Sequence, residues 1–194
     1  MSSKGDRSRE NILRIARMLF AAKGFSAVTM QDICQGTGLS RGGLYRHYGS
    51  TSEIFAAIIQ QEQRLARAAL ERAVEAKVKP RQILVAFLRS RAEQLLDPAC
   101  CIDRATAEFA AVDPEGKALL GKRAADSVEI LAQILRMGIE SGDLRCSDPE
   151  RTALHILWFL EGMGRHNALL PLGKEEAFSQ LQAALVPLMR DSQV

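Results

Sequence analysis

The chain has 194 residues, of which 47% are hydrophobic and 25% are charged, as is typical of a soluble globular protein that buries a core. Its formal net charge is +3, and its N-terminus shows no apolar segment of the kind that begins a secretory signal. The longest stretch without Asp, Glu, Lys or Arg, residues 177–189, is too polar for a membrane span. We therefore expect a cytoplasmic protein without membrane contact.

Apolar residues recur at helical spacing over residues 12–20, and Gly24 is well placed to end this first helix. A second helix is predicted to begin at Thr29, because Asp32 stands three residues later in a variant of the capping box. The glycines at 36 and 38 end it after two turns.

Ser40 is a suitable N-cap for a third short helix, which Gly49 ends. Ser50 and Glu53 form another capping signal, and apolar residues continue at helical spacing to position 70. This pattern predicts a long fourth helix.

The rest of the chain is also predicted to be helical. Three Asp-Pro pairs each place a capping Asp before a Pro suited to the first helical position: Asp97-Pro98, Asp113-Pro114 and Asp148-Pro149. The predicted helices span about 80–96, 100–111, 114–140, 149–170 and 174–190. No segment alternates with period two, so the sequence predicts an all-α fold.

Two short helices joined by a tight turn, over residues 29–36 and 40–48, match a helix-turn-helix, whose second helix enters the major groove of DNA. Residues 1–50 contain eight Lys and Arg against three Asp and Glu, and such a basic segment favours a polyanionic partner. Gly42 and Gly43 cost helix stability, but without side chains they let the backbone approach DNA closely.

Arginine can bind phosphates or the O6 and N7 acceptors of guanine, whereas Tyr and His donate to the phosphate backbone. The predicted DNA-binding residues are Thr29, Ser40, Arg41, Gly42, Gly43, Tyr45, Arg46, His47 and Tyr48. We expect the apolar Leu39 and Leu44 to anchor the third helix to the core.

Residues 9–60 resemble the DNA-binding domain of the TetR family of transcriptional regulators, whose pattern the run RENILRIARMLFAAKGFSAVTMQDICQGTGLSRGGLYRHYGSTSEIF within them follows almost throughout. The first helix ends in KGF, a threonine opens the second, GLS precedes the third, and LYRHY stands where the family has Leu-Tyr-x-His/Tyr-Phe. The resemblance implies that Thr29, Arg41, Tyr45 and His47 contact DNA, chiefly at phosphates.

The resemblance also implies a homodimer that binds a palindromic operator through its N-terminal domains and an inducer through its C-terminal domain. We expect a repressor that a small-molecule inducer releases, rather than an enzyme, although the sequence does not fix the sign of regulation. We expect a helix-turn-helix domain at 1–50 and a helical effector-binding and dimerisation domain at 51–194. The sequence departs from the family in two places. The family often has a phosphate-binding lysine near the start of the fourth helix, where residues 49–52 here read Gly-Ser-Thr-Ser, so this contact is either missing or made by a hydroxyl. The variable base-reading position of the family is occupied here by Gly43.

In the C-terminal half the resemblance is one of architecture only, and it names no effector. Acids and aromatics near apolar stretches are candidates for an effector pocket: Phe87, Glu108, Phe109, His155, Trp158 and Glu161. His155 fits equally a core or interface position. Apolar residues of the last two helices are candidates for a dimer interface: Leu157, Leu160, Phe178, Leu181, Leu185 and Leu188. An intrachain core accounts for the same pattern.

Two other functions are compatible with short stretches of the sequence. Residues 38–42 fit the G-x-S-x-G of hydrolases, but that motif needs a preceding strand, so we interpret Ser40 as a helix cap. Cys100 and Cys101 leave open a regulator that responds to oxidants or soft metals. Three histidines without ligand spacing and four cysteines without a C-x-x-C pair predict neither a metal site nor a disulfide framework, and no cofactor is expected.

Overall fold

The computed structural model of the protein describes residues 4–97, 101–167, 170–185 and 188, and these residues form nine α-helices and no strand. In chain order the helices are α1 (Lys4–Lys23), α2 (Met30–Thr37), α3 (Arg41–Tyr45), α4 (Thr51–Glu75), α5 (Pro80–Leu96), α6 (Asp103–Val112), α7 (Pro114–Glu140), α8 (Pro149–Asn167) and α9 (Lys174–Leu185). The all-α prediction is confirmed.

Side-chain caps begin several helices where the sequence predicted them. Asp113 Oδ1 accepts from the Gly116 N–H at 2.9 Å, and Asp148 Oδ1 accepts from the Arg151 N–H at 2.9 Å. The prediction for Asp97 was wrong, because this residue is the C-cap of α5 and its N–H donates to the Glu93 carbonyl.

Several of the predicted helix bounds also differ from the structure. The third helix, predicted over 40–48, spans only Arg41–Tyr45. The sixth helix begins at 103 rather than 100, after a backbone N-cap at Ile102 that makes no side-chain cap hydrogen bond. The eighth ends at 167 rather than 170. The predicted end of the ninth, at 190, lies outside the described residues, whose last helix ends at 185.

The chain folds as two compact units. Unit 1 contains the described residues of 1–62 and 98–123, and an aromatic cluster lies at its centre. Phe20 and Phe25 come from α1 and the turn after it, Phe55 from α4, and Phe109 from α6; each is at most 7% exposed. Their ring centroids lie 4.9–5.7 Å apart, in the range of favourable aromatic pairs.

Unit 2 contains the described residues of 63–97 and 124–194. Its core is aliphatic, built mainly by α5, the later part of α7, α8 and α9. Leu84, Leu131 and Leu160 are at most 1% exposed there. Over the residues that the structure describes, no helix is long and apolar enough to cross a membrane.

The predicted helix-turn-helix domain, residues 1–50, lies within unit 1, but unit 1 also contains α6 and the first part of α7. Packing in the N-terminal unit therefore extends well beyond the segment that carries the motif. The functional division at residue 50 stays a prediction.

Candidate DNA-binding site

Helices α2 and α3 form the predicted helix-turn-helix. Gly38 closes α2 with φ 70°, a left-handed conformation that glycine adopts without steric cost. Ser40 caps α3, and its Oγ accepts from the Gly43 N–H at 3.2 Å. Ile33 and Leu44, both 0% exposed, fix the two helices to the core of unit 1. One side of α3 is thereby buried and the other faces solvent.

The solvent-facing side of α3 carries the predicted DNA-binding groups. Arg41, Tyr45 and Arg46 are exposed, Tyr45 with 48% of its surface. A Cβ added at Gly42 would have no atom within 4 Å, so the backbone is bare at this point. Residues 40–50 contain no acid, so nothing in the segment repels a phosphate backbone.

The other predicted residues of this segment are less accessible. Gly43, His47 and Tyr48 are half-buried. Tyr48 packs against the core of unit 1, and a Cβ at Gly43 would lie 3.2 Å from Ser40 Oγ. Their roles in DNA binding stay predictions. The side chains that are exposed on the outer face of α3 are those of Arg41, Tyr45 and Arg46.

Thr29 is used as a helix cap. Its Oγ1 accepts from the Asp32 N–H at 3.1 Å and lies 2.5 Å from Asp32 Oδ2, to which it donates. Lys23 Nζ donates to Asp32 Oδ1 at 2.7 Å, and hydrogen bonds from Lys23 and Thr29 hold the pKa of Asp32 well below its usual range. The sequence predicted the capping box but missed Lys23, which lies nine positions away.

The predicted effector residues do not form one group. Phe109 lies in the aromatic core of unit 1, and the Glu108 carboxylate accepts from the Ser26 N–H at 2.8 Å. In unit 2, Glu161 forms an ion pair with Arg91 at 2.9 Å.

The remaining effector candidates lie in unit 2: Phe87, His155 and Trp158. Phe87 packs half-buried against the core, His155 is exposed, and Trp158 is 67% exposed. A cavity of about 550 Å³ opens on unit 2, lined by Lys79, Arg81, Gln82, Val85, Ala86, Arg89 and Asp143. None of the predicted effector residues lines it.

The predicted dimer seam belongs largely to the core of its own chain. Leu160, Leu181 and Leu185 are 0%, 5% and 3% exposed within unit 2, and Leu157, Phe178 and Leu188 pack half-buried against the same core. The intrachain alternative thus accounts for the burial of this seam. Whether any of these residues also touches a second subunit stays a prediction.

A different face of α8 is exposed. Leu154 is 36% and Trp158 67% exposed, and a Cβ at Gly162 would meet no atom within 4 Å. These residues are four apart and therefore lie on one side of the helix. The sequence run that contains them is apolar nearly all round, so periodicity did not distinguish this side from the buried one.

The alternative sites are only partly described. Ser40 Oγ is engaged in the cap of α3. Cys101 is half-buried, whereas Cys100 and the side chain of His166 lie outside the described residues. Within the described ranges no three His, Cys, Asp or Glu side chains are grouped as metal ligands would be.

Comparisons with known proteins agree with this geometry. The family model of bacterial regulatory proteins, tetR family, matches residues 12–58. The uncharacterised HTH-type transcriptional regulator YfiR of Bacillus subtilis (strain 168) is 29% identical over 155 residues, which cover 76% of this chain and 73% of YfiR.

The HTH-type transcriptional regulator UidR of Escherichia coli (strain K12) is 35% identical over 75 residues, 39% of this chain but only 38% of UidR. The crystal structure of a bacterial regulatory protein in the tetR family from Rhodococcus RHA1 matches with a TM-score of 0.68 and 22% identity, covering 97% of this chain and 100% of that one, which shows a shared fold. The exposed basic α3 and these likenesses identify residues 12–58 as a DNA-binding domain of the tetR family, in a chain similar over most of its length to an HTH-type transcriptional regulator.

Proposed function

We propose that the protein is a homodimeric repressor that binds a palindromic operator in the cytoplasm and is released from it by a small-molecule effector. The observation that carries the proposal is the outer face of α3, where Arg41, Tyr45 and Arg46 are exposed around a bare backbone at Gly42. Donors and cations without an acid are what a phosphate backbone requires.

Arg41 is placed to contribute most to recognition. It is the first residue of α3, and N-terminal residues of a recognition helix contact base edges in the major groove. Because Gly42 has no side chain, the backbone of α3 can lie close to the groove, which brings the Arg41 side chain within reach of the bases. Because Gly43 has no side chain to read a base, specificity depends on the two arginines and on DNA shape.

A second copy of the chain is needed because one helix-turn-helix buries too little for tight and specific binding. Two copies must present their α3 helices about 34–36 Å apart, one turn of DNA. We assign the dimer contact to the exposed face of α8 that contains Leu154, Trp158 and Gly162. A large aromatic side chain beside an open glycine suits a symmetric contact, since the Trp of each copy can pack into the space above the glycine of the other.

We assign the effector site to unit 2, on which a cavity of about 550 Å³ opens. Glu161 is a poor partner for a cationic effector unless Arg91 moves, because the carboxylate already has an ion-pair partner at 2.9 Å. A molecule retained through purification, detected by native mass spectrometry and shown to weaken operator binding, would support induction. An apoprotein whose DNA affinity no retained or added small molecule changes would contradict it.

DNA binding is tested by selecting duplexes from a random library with the wild-type protein and measuring affinity as salt is raised. We expect a palindromic sequence and a steep salt dependence. Arg41→Ala should weaken binding; if it contacts a phosphate the salt slope falls by about one, and if it contacts a base the preference at one position relaxes by about 1–3 kcal/mol. Arg72→Ala, which removes the same charge from an exposed position on α4, is the matched control. Recovery of no common sequence, or equal losses in both variants, would contradict the proposal.

A further inference from the structure

Side chains of helix α6 form hydrogen bonds with the turn between α1 and α2. Glu108 Oε2 accepts from the Ser26 N–H at 2.8 Å, and Glu108 Oε1 accepts from Arg104 Nε at 2.9 Å. The Arg104 guanidinium also donates to the carbonyl of Lys23, the last residue of α1. One arginine and one carboxylate thus hold the end of α1 and the residue that lies three positions before the N-cap of α2.

The turn itself is shaped for this contact. Gly24 has φ 81°, in the left-handed region, and its N–H donates to the Phe20 carbonyl at 2.9 Å. A Cβ at this position would lie 2.5 Å from Glu108 Oε1 and 2.7 Å from Arg104 Nη2. Only a residue without a side chain lets the carboxylate and the guanidinium approach so closely.

The neighbouring residue fixes the position of α6. Phe109 is 2% exposed, and its ring centroid lies 4.9 Å from that of Phe25 and 5.0 Å from that of Phe55. Because Phe25 belongs to the same turn as Ser26, ring packing and the Glu108 hydrogen bond act on one short segment. Burial of the Phe109 ring stabilises the contact between α6 and the turn, and the hydrogen bonds of Glu108 fix the orientation of the turn.

We propose that Glu108 is a positioning residue for operator binding: its carboxylate holds the α1–α2 turn so that α2 and α3 present Arg41 to DNA. This inference rests on the proposed DNA-binding function. Direct contact with DNA is not its role, since a carboxylate is repelled by phosphates. The hydrogen bonds from Ser26 and Arg104 keep the pKa of Glu108 below its usual range, so the acceptor stays ionised at neutral pH.

Removing the charge of Glu108 has two opposite expected effects on DNA affinity, and their signs distinguish them. Removing an acid makes the protein more positive, which by long-range electrostatics alone should strengthen DNA binding. Loss of the positioning contact should weaken it. Glu108→Gln is therefore compared with Glu115→Gln, which removes the same charge from an exposed residue in the first turn of α7, in the same unit.

The probe is the duplex selected by the wild-type protein, and the readouts are affinity across a salt series and hydrogen exchange at the Ser26 amide. We expect Glu108→Gln to bind about three- to tenfold more weakly throughout the salt series, with faster exchange at Ser26. Glu115→Gln should bind as tightly as wild type or more tightly. Glu108→Ala should show a larger loss of the same kind.

Equal or tighter binding by folded Glu108→Gln would overturn the inference, as would a loss matched by Glu115→Gln. If Glu108→Ala does not fold, the melting curve and affinity of Glu108→Gln decide the matter alone. If the wild-type protein selects no duplex, the DNA-binding proposal fails and not the positioning role alone.

Discussion

Replacing Trp158 by Ala tests the assignment of the dimer contact to the exposed face of α8. The side chain is 67% exposed in the single chain, an unusual state for the only Trp of the protein. A Trp side chain buries up to about 250 Å² when covered, so about 170 Å² remains to be buried by a second copy. At about 25 cal/mol per Å² this corresponds to about 4 kcal/mol per subunit as an upper value.

The net effect is smaller, because association costs offset part of the burial and central aromatic residues typically contribute about 2–4 kcal/mol on truncation. In a two-fold dimer the change occurs twice, so even the lower value amounts to about 4 kcal/mol. The dissociation constant of the dimer should therefore rise by about a thousandfold.

Sedimentation velocity over a range of concentrations measures this change, and melting curves establish that the variant is folded. Leu65→Ala is the matched control, because Leu65 is also an exposed apolar residue, 59% exposed, but belongs to a different helix, α4. Leu181→Glu gives the opposite outcome: a charge placed at a site 5% exposed in the core of unit 2 should unfold the unit rather than release a folded monomer. A Trp158→Ala protein that stays dimeric at wild-type concentrations would refute the assignment.

Two further predictions concern unit 1. Gly42→Leu should keep the helical circular dichroism of the wild type, because a side chain there meets no atom within 4 Å, yet abolish DNA binding in a gel-shift assay by holding the backbone off the groove; undiminished binding would show that this face does not approach DNA. Asp32→Asn should reduce the acid sensitivity of stability: because the folded-state pKa of Asp32 is depressed, its stabilisation is present above the unfolded-state pKa and is lost as the pH falls below about 4. Melting curves between pH 6 and about 3 should thus fall less steeply for the variant, and parallel curves would contradict this.

The local signals of the sequence determined the helices and most of their ends. Thr29 with Asp32, Ser40, Asp113 and Asp148 cap helices because their side chains bond to backbone N–H groups three residues away, an interaction that depends on neighbours in the chain alone. The resemblance to the family and the position of the recognition helix α3 were also predicted from neighbouring residues in the chain.

Only the tertiary structure decided which apolar surfaces are buried within the chain. The sequence shows that α8 is apolar nearly all round, but not that Leu160 is buried while Trp158 remains exposed, because the inner and outer sides of such a helix have the same periodicity. Likewise, no local rule joins Glu108 to Ser26, which are 82 residues apart. Such contacts arise only when the packing of Phe109 against Phe25 brings α6 to the turn, because a long-range hydrogen bond forms where the hydrophobic core has already placed its partners.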